Sequence, residues 1–562
     1  MSLLVNALLN FARPLRNTRR ALHRSPDFVW IPVTGALPEF EPSRRGLLRR
    51  RLDPRTLSPS LEGIRERLDR VLTDGRVRGV ILRVENLAAG WAALEELRTE
   101  IDRFRKRGKQ VVAYLPDGGD TRSYYLASAA DEVFASPLST LNLVGLRVRV
   151  NFLKDALGHL GLETEVIAVS PYKSAADPIS RTDFSKESRE QVERLLDWRF
   201  DELVSAISAR RDVPPERVRN LIDNAPYVAG EAVEKKLLDG ALYEDELAGR
   251  FSHDDKPARL VEWGVARKVL RVPYRRRARK VVGLVSVEGT VVRGSSRKLP
   301  VPLPLLGREQ AGSDSVVAAL RVAEKSQRVA AVLLYVDSPG GDALASDLIW
   351  REVERIRAKK SVVVLMGNAA ASGGYYVSVP ASRIVARKNT ITGSIGVILT
   401  RPVALDLLGK LKVNPVAVER GARSNLLDPR RRPTPDELAV LNDQLHVFYD
   451  GFKDRVASGR ELQPEALQGL AGGRVWTGTE ALEKGLVDEN GGFRTALERA
   501  RELAGITEDT TGGLVKISPP RGNRPAPGEP VREAVDAVHG AVSELLAARV
   551  WAVAPYEISD DW

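Results

Sequence analysis

The chain contains no cysteine, which excludes disulfide scaffolds, thiolate metal sites, iron–sulfur clusters and cysteine nucleophiles. Histidine is scarce: His23, His159, His253, His446 and His539 are the only ones, and none lies in a glycine-rich turn or beside a candidate serine. Nothing in the sequence therefore supports a Ser-His-Asp triad. No stretch approaches the roughly 20 apolar residues that span a bilayer. The opening segment from Met1 to Pro14 is apolar, is interrupted by Asn6 and Asn10, and lacks the basic start of a secretory signal. Its leucines, with the arginines that follow, fit either a helix lying in a membrane interface or a helix docked on the protein body. No basic run alternates with aromatic residues as a single-strand stacking platform would, so no nucleic-acid partner is expected.

What is present describes a globular protein of several domains. The chain has 562 residues, 43% of them hydrophobic and 28% charged, too long for one core and too apolar for disorder. The net charge of +12 comes mostly from arginine, in runs at 49–51, 275–277 and 430–432. Acidic residues are interspersed throughout, which reads as a solvated arginine-rich surface compatible with an anionic membrane face.

The most informative feature is an internal duplication with an offset near 251 residues. Val80-Ile-Leu-Arg-Val-Glu-Asn86 lies over Val332-Leu-Leu-Tyr-Val-Asp-Ser338, each a short apolar strand leaving into a loop. Amphipathic helices are predicted at 91–106 and 343–358, followed by strands Gln110–Tyr114 and Ser361–Leu365. Tyr124-Tyr125 then matches Tyr375-Tyr376, Gly145 matches Gly396, and Asp177-Pro178 matches Asp428-Pro429. Alternating strands and helices imply a largely parallel sheet with covering helices in each copy. The predicted organisation is an N-terminal helix over 1–27, a first copy over 28–266, a basic linker over 267–280, a second copy over 281–505, and a Pro/Gly-rich segment with one C-terminal helix over 506–562. Lys298–Pro304 is predicted as a Pro-rich loop.

Chemistry is expected where the copies differ. The second copy carries Asp337-Ser-Pro-Gly-Gly-Asp342, whereas the first has Glu85-Asn-Leu-Ala-Ala-Gly90. Successive glycines allow a sharp turn that brings N–H groups up to a ligand, although a Pro-Gly-Gly alone is also an ordinary turn. The second copy also has Asn368-Ala-Ala-Ala-Ser-Gly-Gly-Tyr-Tyr376 between a strand and a helix. Ser372 there is either a helix cap or an exposed nucleophile; its counterpart is Thr121, without the glycines. The base for such a serine is a lysine kept neutral by burial. Lys173, in Ser170-Pro-Tyr-Lys-Ser-Ala-Ala-Asp-Pro178, is the candidate, and the matching residue of the second copy is Ser424. One copy keeps a lysine without the serine and the other a serine without the lysine.

These residues, with Thr392-Gly-Ser-Ile-Gly396, resemble signal peptide peptidase A in its long, tandem-domain form, over about residues 28–500. The resemblance implies an α/β protein of two Clp protease/crotonase-like domains that hydrolyses peptide bonds with a Ser–Lys dyad. It implies Ser372 as nucleophile, Lys173 as general base, Ser394 as a serine bonded to that lysine, and an oxyanion hole from the backbone near Gly340, Gly341 and Gly373. It further implies extended peptides, released signal peptides among them, as substrates, a homotetrameric assembly, and no cofactor or metal. Many members carry a transmembrane helix; with no adequate span here, a soluble or peripheral membrane-associated placement is expected. Two rivals remain at this stage: an acyl-CoA hydratase- or thioesterase-like enzyme on the same fold, and a non-catalytic binding scaffold.

Overall fold

The computed structural model describes residues 10–11, 13–41, 59–274, 278–303, 307–506, 513–520 and 549–553. They form two compact units. One holds the chain up to Arg147 together with Leu196–Ala278; the other holds Val148–Leu195, Arg279–Asp509 and the chain from Gly513. The sequence copies and the folded units thus do not coincide. Residues Val148–Leu195 continue the first copy in sequence but fold with the second unit, because strand Glu163–Ala168 pairs antiparallel with Ile398–Val403. An offset comparison matches positions and carries no information on which sheet a strand joins.

The first unit is built on a six-stranded sheet in the order 260–262, 28–35, 79–87, 110–115, 132–135, 240–241, with every pairing parallel. Its strands bury both faces, as parallel sheets require. Val29, Ile31 and Val33 face one apolar cluster, while Phe28 and Trp30 join Ile81, Val112 and Phe134 on the other side. Helix Trp91–Lys106 lays Leu94, Leu97, Ile101 and Phe104 into the first cluster at helical spacing. A small separate sheet pairs 118–120, 140–142 and 227–228.

The second unit repeats this plan. Strands 514–516, 281–288, 329–338, 362–371, 391–393 and 475–477 are adjacent in that order, and 383–386 and 489–490 extend the sheet from 362–371. Val362 to Met366 are all fully buried, the unbroken apolar run of a central strand covered on both faces. A further sheet runs in the order 297–303, 307–312, 290–292, 340–342, 549–553, 398–403, 163–168.

Two elements differ from the sequence expectations. The segment predicted as a Pro-rich loop is strand Arg297–Leu303, paired antiparallel with Gly307–Gly312. It sits at the sheet edge, where the missing proline N–H groups leave no inner ladder unpaired. The basic linker begins inside helix Trp263–Val269 and is then held to the first unit: the Arg271 N–H donates to Asp74 Oδ2 at 2.9 Å and the Val272 N–H to Asn17 Oδ1 at 2.8 Å. The predicted C-terminal helix lies outside the described residues, and Arg549–Val553 is a strand.

Of the N-terminal segment, helix Arg13–Ala21 is described, anchored by Arg13 Nε and Asn17 Nδ2 on the Val272 carbonyl, each at 3.1 Å. Among the described residues no helix is long and apolar enough to cross a membrane.

Candidate active site

The central strand Val362–Ala371 ends at a sharp turn on Ser372, and helix Gly373–Ser378 leaves from it. Ser372 has φ +54° and ψ −115°, a conformation that costs a residue with a Cβ strain energy. The turn is over-determined by its surroundings: the Ser372 N–H donates to the Gly393 carbonyl at 2.7 Å, and the Ser372 carbonyl accepts from Tyr376 N–H at 2.8 Å. Ser372 stands at the N-cap, yet its hydroxyl makes no capping bond. The hydroxyl instead faces a lysine.

Lys173 follows a turn in which its N–H donates to the Ser170 carbonyl at 3.1 Å. Its Nζ lies 2.5 Å from Ser372 Oγ, 2.9 Å from Ser394 Oγ and 2.9 Å from the Ser394 carbonyl. Lys173 is 2% exposed, and Ser372 and Ser394 are fully buried. Burial of the amine drives its pKa well below the ordinary lysine value of 10.5. A neutral amine has one lone pair and two N–H groups. The two Ser394 oxygens can take the N–H groups, which leaves the lone pair for the Ser372 hydroxyl proton.

Glycines make room for this arrangement. Gly340 adopts φ +108°, and its N–H donates to Ser338 Oγ at 3.2 Å. A Cβ on Gly341 would lie 1.9 Å from the Val291 carbonyl oxygen, so only glycine lets strand Gly340–Asp342 lie beside Thr290–Val292. Gly373 opens the short helix, where backbone N–H groups have no partner within the helix. Beneath the turn, part-buried Asp337 accepts from Ala369 N–H at 3.0 Å and from the Tyr335 hydroxyl at 3.2 Å, tying the ends of two core strands together. Burial raises the pKa of its carboxyl.

The sequence reading missed the segment that holds the lysine. A Cβ on Gly473, whose φ is +87°, would stand 2.7 Å from both the backbone nitrogen and Cβ of Lys173. The next residue, Arg474, accepts the Ser394 N–H on its carbonyl at 2.6 Å and lays its guanidinium 3.7 Å from the Tyr172 ring centroid. Glu190 accepts from the Tyr172 hydroxyl at 2.9 Å, and Gln191 binds the Tyr172 carbonyl and the Val475 N–H at 3.1 and 2.9 Å. The one available signal was the pair Gly472-Gly473 just before a strand.

The matched positions of the other copy are occupied differently. In the first unit Asp120 caps helix Thr121–Ala127, accepting from Ser123 N–H at 2.8 Å, and the Thr121 hydroxyl donates to the Gly145 carbonyl at 2.9 Å. Ser424, the counterpart of Lys173, is exposed, and its hydroxyl donates to Glu419 at 3.3 Å.

A sequence profile of Peptidase family S49 matches the chain twice, over residues 103–256 and 354–507, and one of Clp protease matches residues 307–390. The chain is 32% identical to "Serine protease SPPA, chloroplastic" of Arabidopsis thaliana, over 83% of this chain and 69% of that protein. It is 31% identical to "Protease 4" of Haemophilus influenzae, over 78% of this chain and 72% of that protein. For "Protease 4" of Salmonella typhi the identity is 29%, over 82% of this chain and 74% of that protein. With two α/β repeats, a buried serine on a strand-to-helix turn and a double match of this kind, the chain belongs to Peptidase family S49 and is a serine-type peptidase with tandem duplicated domains.

Proposed function

We propose that this protein is a serine endopeptidase that works through a Ser372–Lys173 dyad and an acyl-enzyme, on extended peptides that include released signal peptides. The observation that carries the reading is the buried amine of Lys173, 2.5 Å from Ser372 Oγ and otherwise bonded to the two Ser394 oxygens.

The neutral Nζ takes the Ser372 hydroxyl proton as Oγ attacks the scissile carbonyl. Backbone N–H groups of Gly340, Gly341 and Gly373 receive the negative oxygen; Gly340 exchanges its bond to Ser338 Oγ for the substrate oxygen. Each such donor is worth about 3–4 kcal/mol in the transition state. The Lys173 ammonium then protonates the leaving amine, and the C–N bond breaks to leave an ester on Ser372. Water attacks that ester, giving its proton to Nζ. As the second tetrahedral species collapses, the proton returns to Oγ, and the acid product leaves. Ser394 acts as a positioning residue that fixes the lone pair of Nζ toward Oγ.

A homotetramer and a peripheral membrane contact belong to the same proposal. Phe11, Leu15 and Leu22 are 87%, 77% and 88% exposed and fall on one face at helical spacing, while Arg13 and Arg20 tie the opposite face to the Val272 and Leu270 carbonyls.

The test is labelling by a fluorophosphonate probe, with the modified peptide mapped by mass spectrometry. Label on Ser372 that is lost in folded Ser372→Ala and Lys173→Ala is the expected result. A folded, unlabelled native protein would overturn the dyad.

A further inference from the structure

Strand Arg549–Val553 lies between Gly340–Asp342 and Ile398–Val403, antiparallel to both. Gly340, Gly341 and Asp342 pair with Val553, Ala552 and Trp551; Ile398, Leu399 and Thr400 pair with Trp551, Val550 and Arg549. Gly340–Asp342 and Ile398–Val403 do not pair with each other, so between them they define a slot one strand wide. Its side-chain environments alternate in the period of an extended peptide. Trp551, 2% exposed, is buried with Ala175, Ala176, Val292, Leu299 and Ile398. Val550 packs on the other face with Val397, Leu399, Leu441 and Leu445.

This slot borders the site directly. Ala175 and Ala176 follow closely on Lys173, Ile398 follows Gly396, and the register carries Val553 to Gly340. A peptide whose carbonyl is to reach the N–H groups of Gly340 and Gly341 must run along that strand, as a β-strand added to an exposed edge. The tail strand already does so.

We infer that Arg549–Val553 is an intramolecular competitor of the peptide substrate, filling the slot in cis until an extended peptide displaces it. The inference rests on the peptidase reading for the meaning of the slot. A tethered segment acts at an effective concentration of order 1 mM. If the same segment free in solution binds with a Kd of about 0.1 mM, the tether weakens a competing peptide about tenfold. The buried Trp551 also assigns the chemistry of a preferred occupant: an extended segment with a large apolar side chain facing Ile398 and the alanines.

The test uses the full chain carrying Ser372→Ala, so that nothing is turned over, and a fluorescein-labelled peptide of sequence Arg-Val-Trp-Ala-Val read by anisotropy. Adding Trp551→Asp should tighten binding of this peptide about tenfold. Equal affinity in the two folded proteins, or no binding to either, overturns the inference. A second measurement needs no tail substitution: excess unlabelled peptide should speed amide hydrogen exchange in 549–553 of the full chain, and unchanged exchange overturns the inference equally. Both readouts are independent of turnover. Failure of Ser372 labelling with displacement intact would therefore strike the dyad and leave the tail competitor standing.

Discussion

Replacing Lys173 with methionine tests its proposed role as general base apart from what the lysine costs the fold. Methionine keeps the length and apolar volume of the side chain and removes the amine. Ser372 Oγ and both Ser394 oxygens lose one partner each, a loss on the order of 1 kcal/mol per group where water cannot replace it. Against this stands the cost of keeping the amine neutral. The folded pKa of Lys173 is lowered by burial, so between that value and 10.5 the unfolded chain holds a proton that the folded chain lacks. Stability of the native protein therefore rises with pH through this window, by about 1.4 kcal/mol per pH unit from this one group. Below the folded value both states are protonated and the contribution is flat; the methionine variant lacks it throughout. Thermal midpoints of the native protein and Lys173→Met, compared as the pH is raised toward 10.5, should converge or cross in the native protein's favour by about 2–3 °C per pH unit. Fluorophosphonate labelling and peptide turnover of the variant should fall by about 10³-fold or more, since loss of a general base alone removes 10²–10⁴. Parallel midpoint curves would refute the buried neutral amine. Retained turnover would refute its role as base.

Other perturbations address the supports of the site. Gly473→Ala forces a Cβ into Lys173 at positive φ; it should lower stability by about 2–3 kcal/mol, by chemical denaturation, and turnover by about 10²-fold. Ser394→Ala leaves the Ser394 carbonyl on Nζ and should reduce kcat roughly 10- to 100-fold with little change in KM, measured on one fluorogenic peptide. Asp337→Ala removes the acceptor that the Ala369 N–H and the Tyr335 hydroxyl share between two core strands and should cost about 1–3 kcal/mol in a denaturant titration. Thr121→Ser should create no second labelled site by mass spectrometry, since the hydroxyl there is engaged by the Gly145 carbonyl and no matching glycine pair follows it.

The duplication was legible because strands and helices repeat at a fixed offset, and the same offset exposed Ser372 and Lys173 as complementary losses. Strand, helix and turn residues obey local rules, so helix Trp91–Lys106 falls where its spacing predicts and helix Ala343–Arg357 within one residue of it. Partnership between distant strands is not local. Nothing in Glu163–Ala168 announces that it joins Ile398–Val403, and nothing in Arg549–Val553 announces a place beside Gly340–Asp342. Proline composition misled at Lys298–Pro304, because an edge strand tolerates the residue that a central one excludes. The Gly473–Arg474 support was hidden for a related reason. Its importance lies in what approaches the glycine, and that neighbour, Lys173, comes from the other repeat.

The passage of Val148–Leu195 into the second unit also sets a clock. Lys173 and Ser372 are 199 positions apart in the chain, with Gly473 and Arg474 further on still. At synthesis rates of about 5–20 residues per second, roughly 10–40 seconds separate the lysine from the serine on a growing chain. Throughout that interval no nascent product can hold both groups, and a truncated message yields a fragment lacking one of them. Under the proposed dyad, a chain still being made lacks one of its two reacting groups and is inert toward its own emerging polypeptide. Cutting the gene between the repeats would yield two pieces, one carrying Lys173 and the other Ser372.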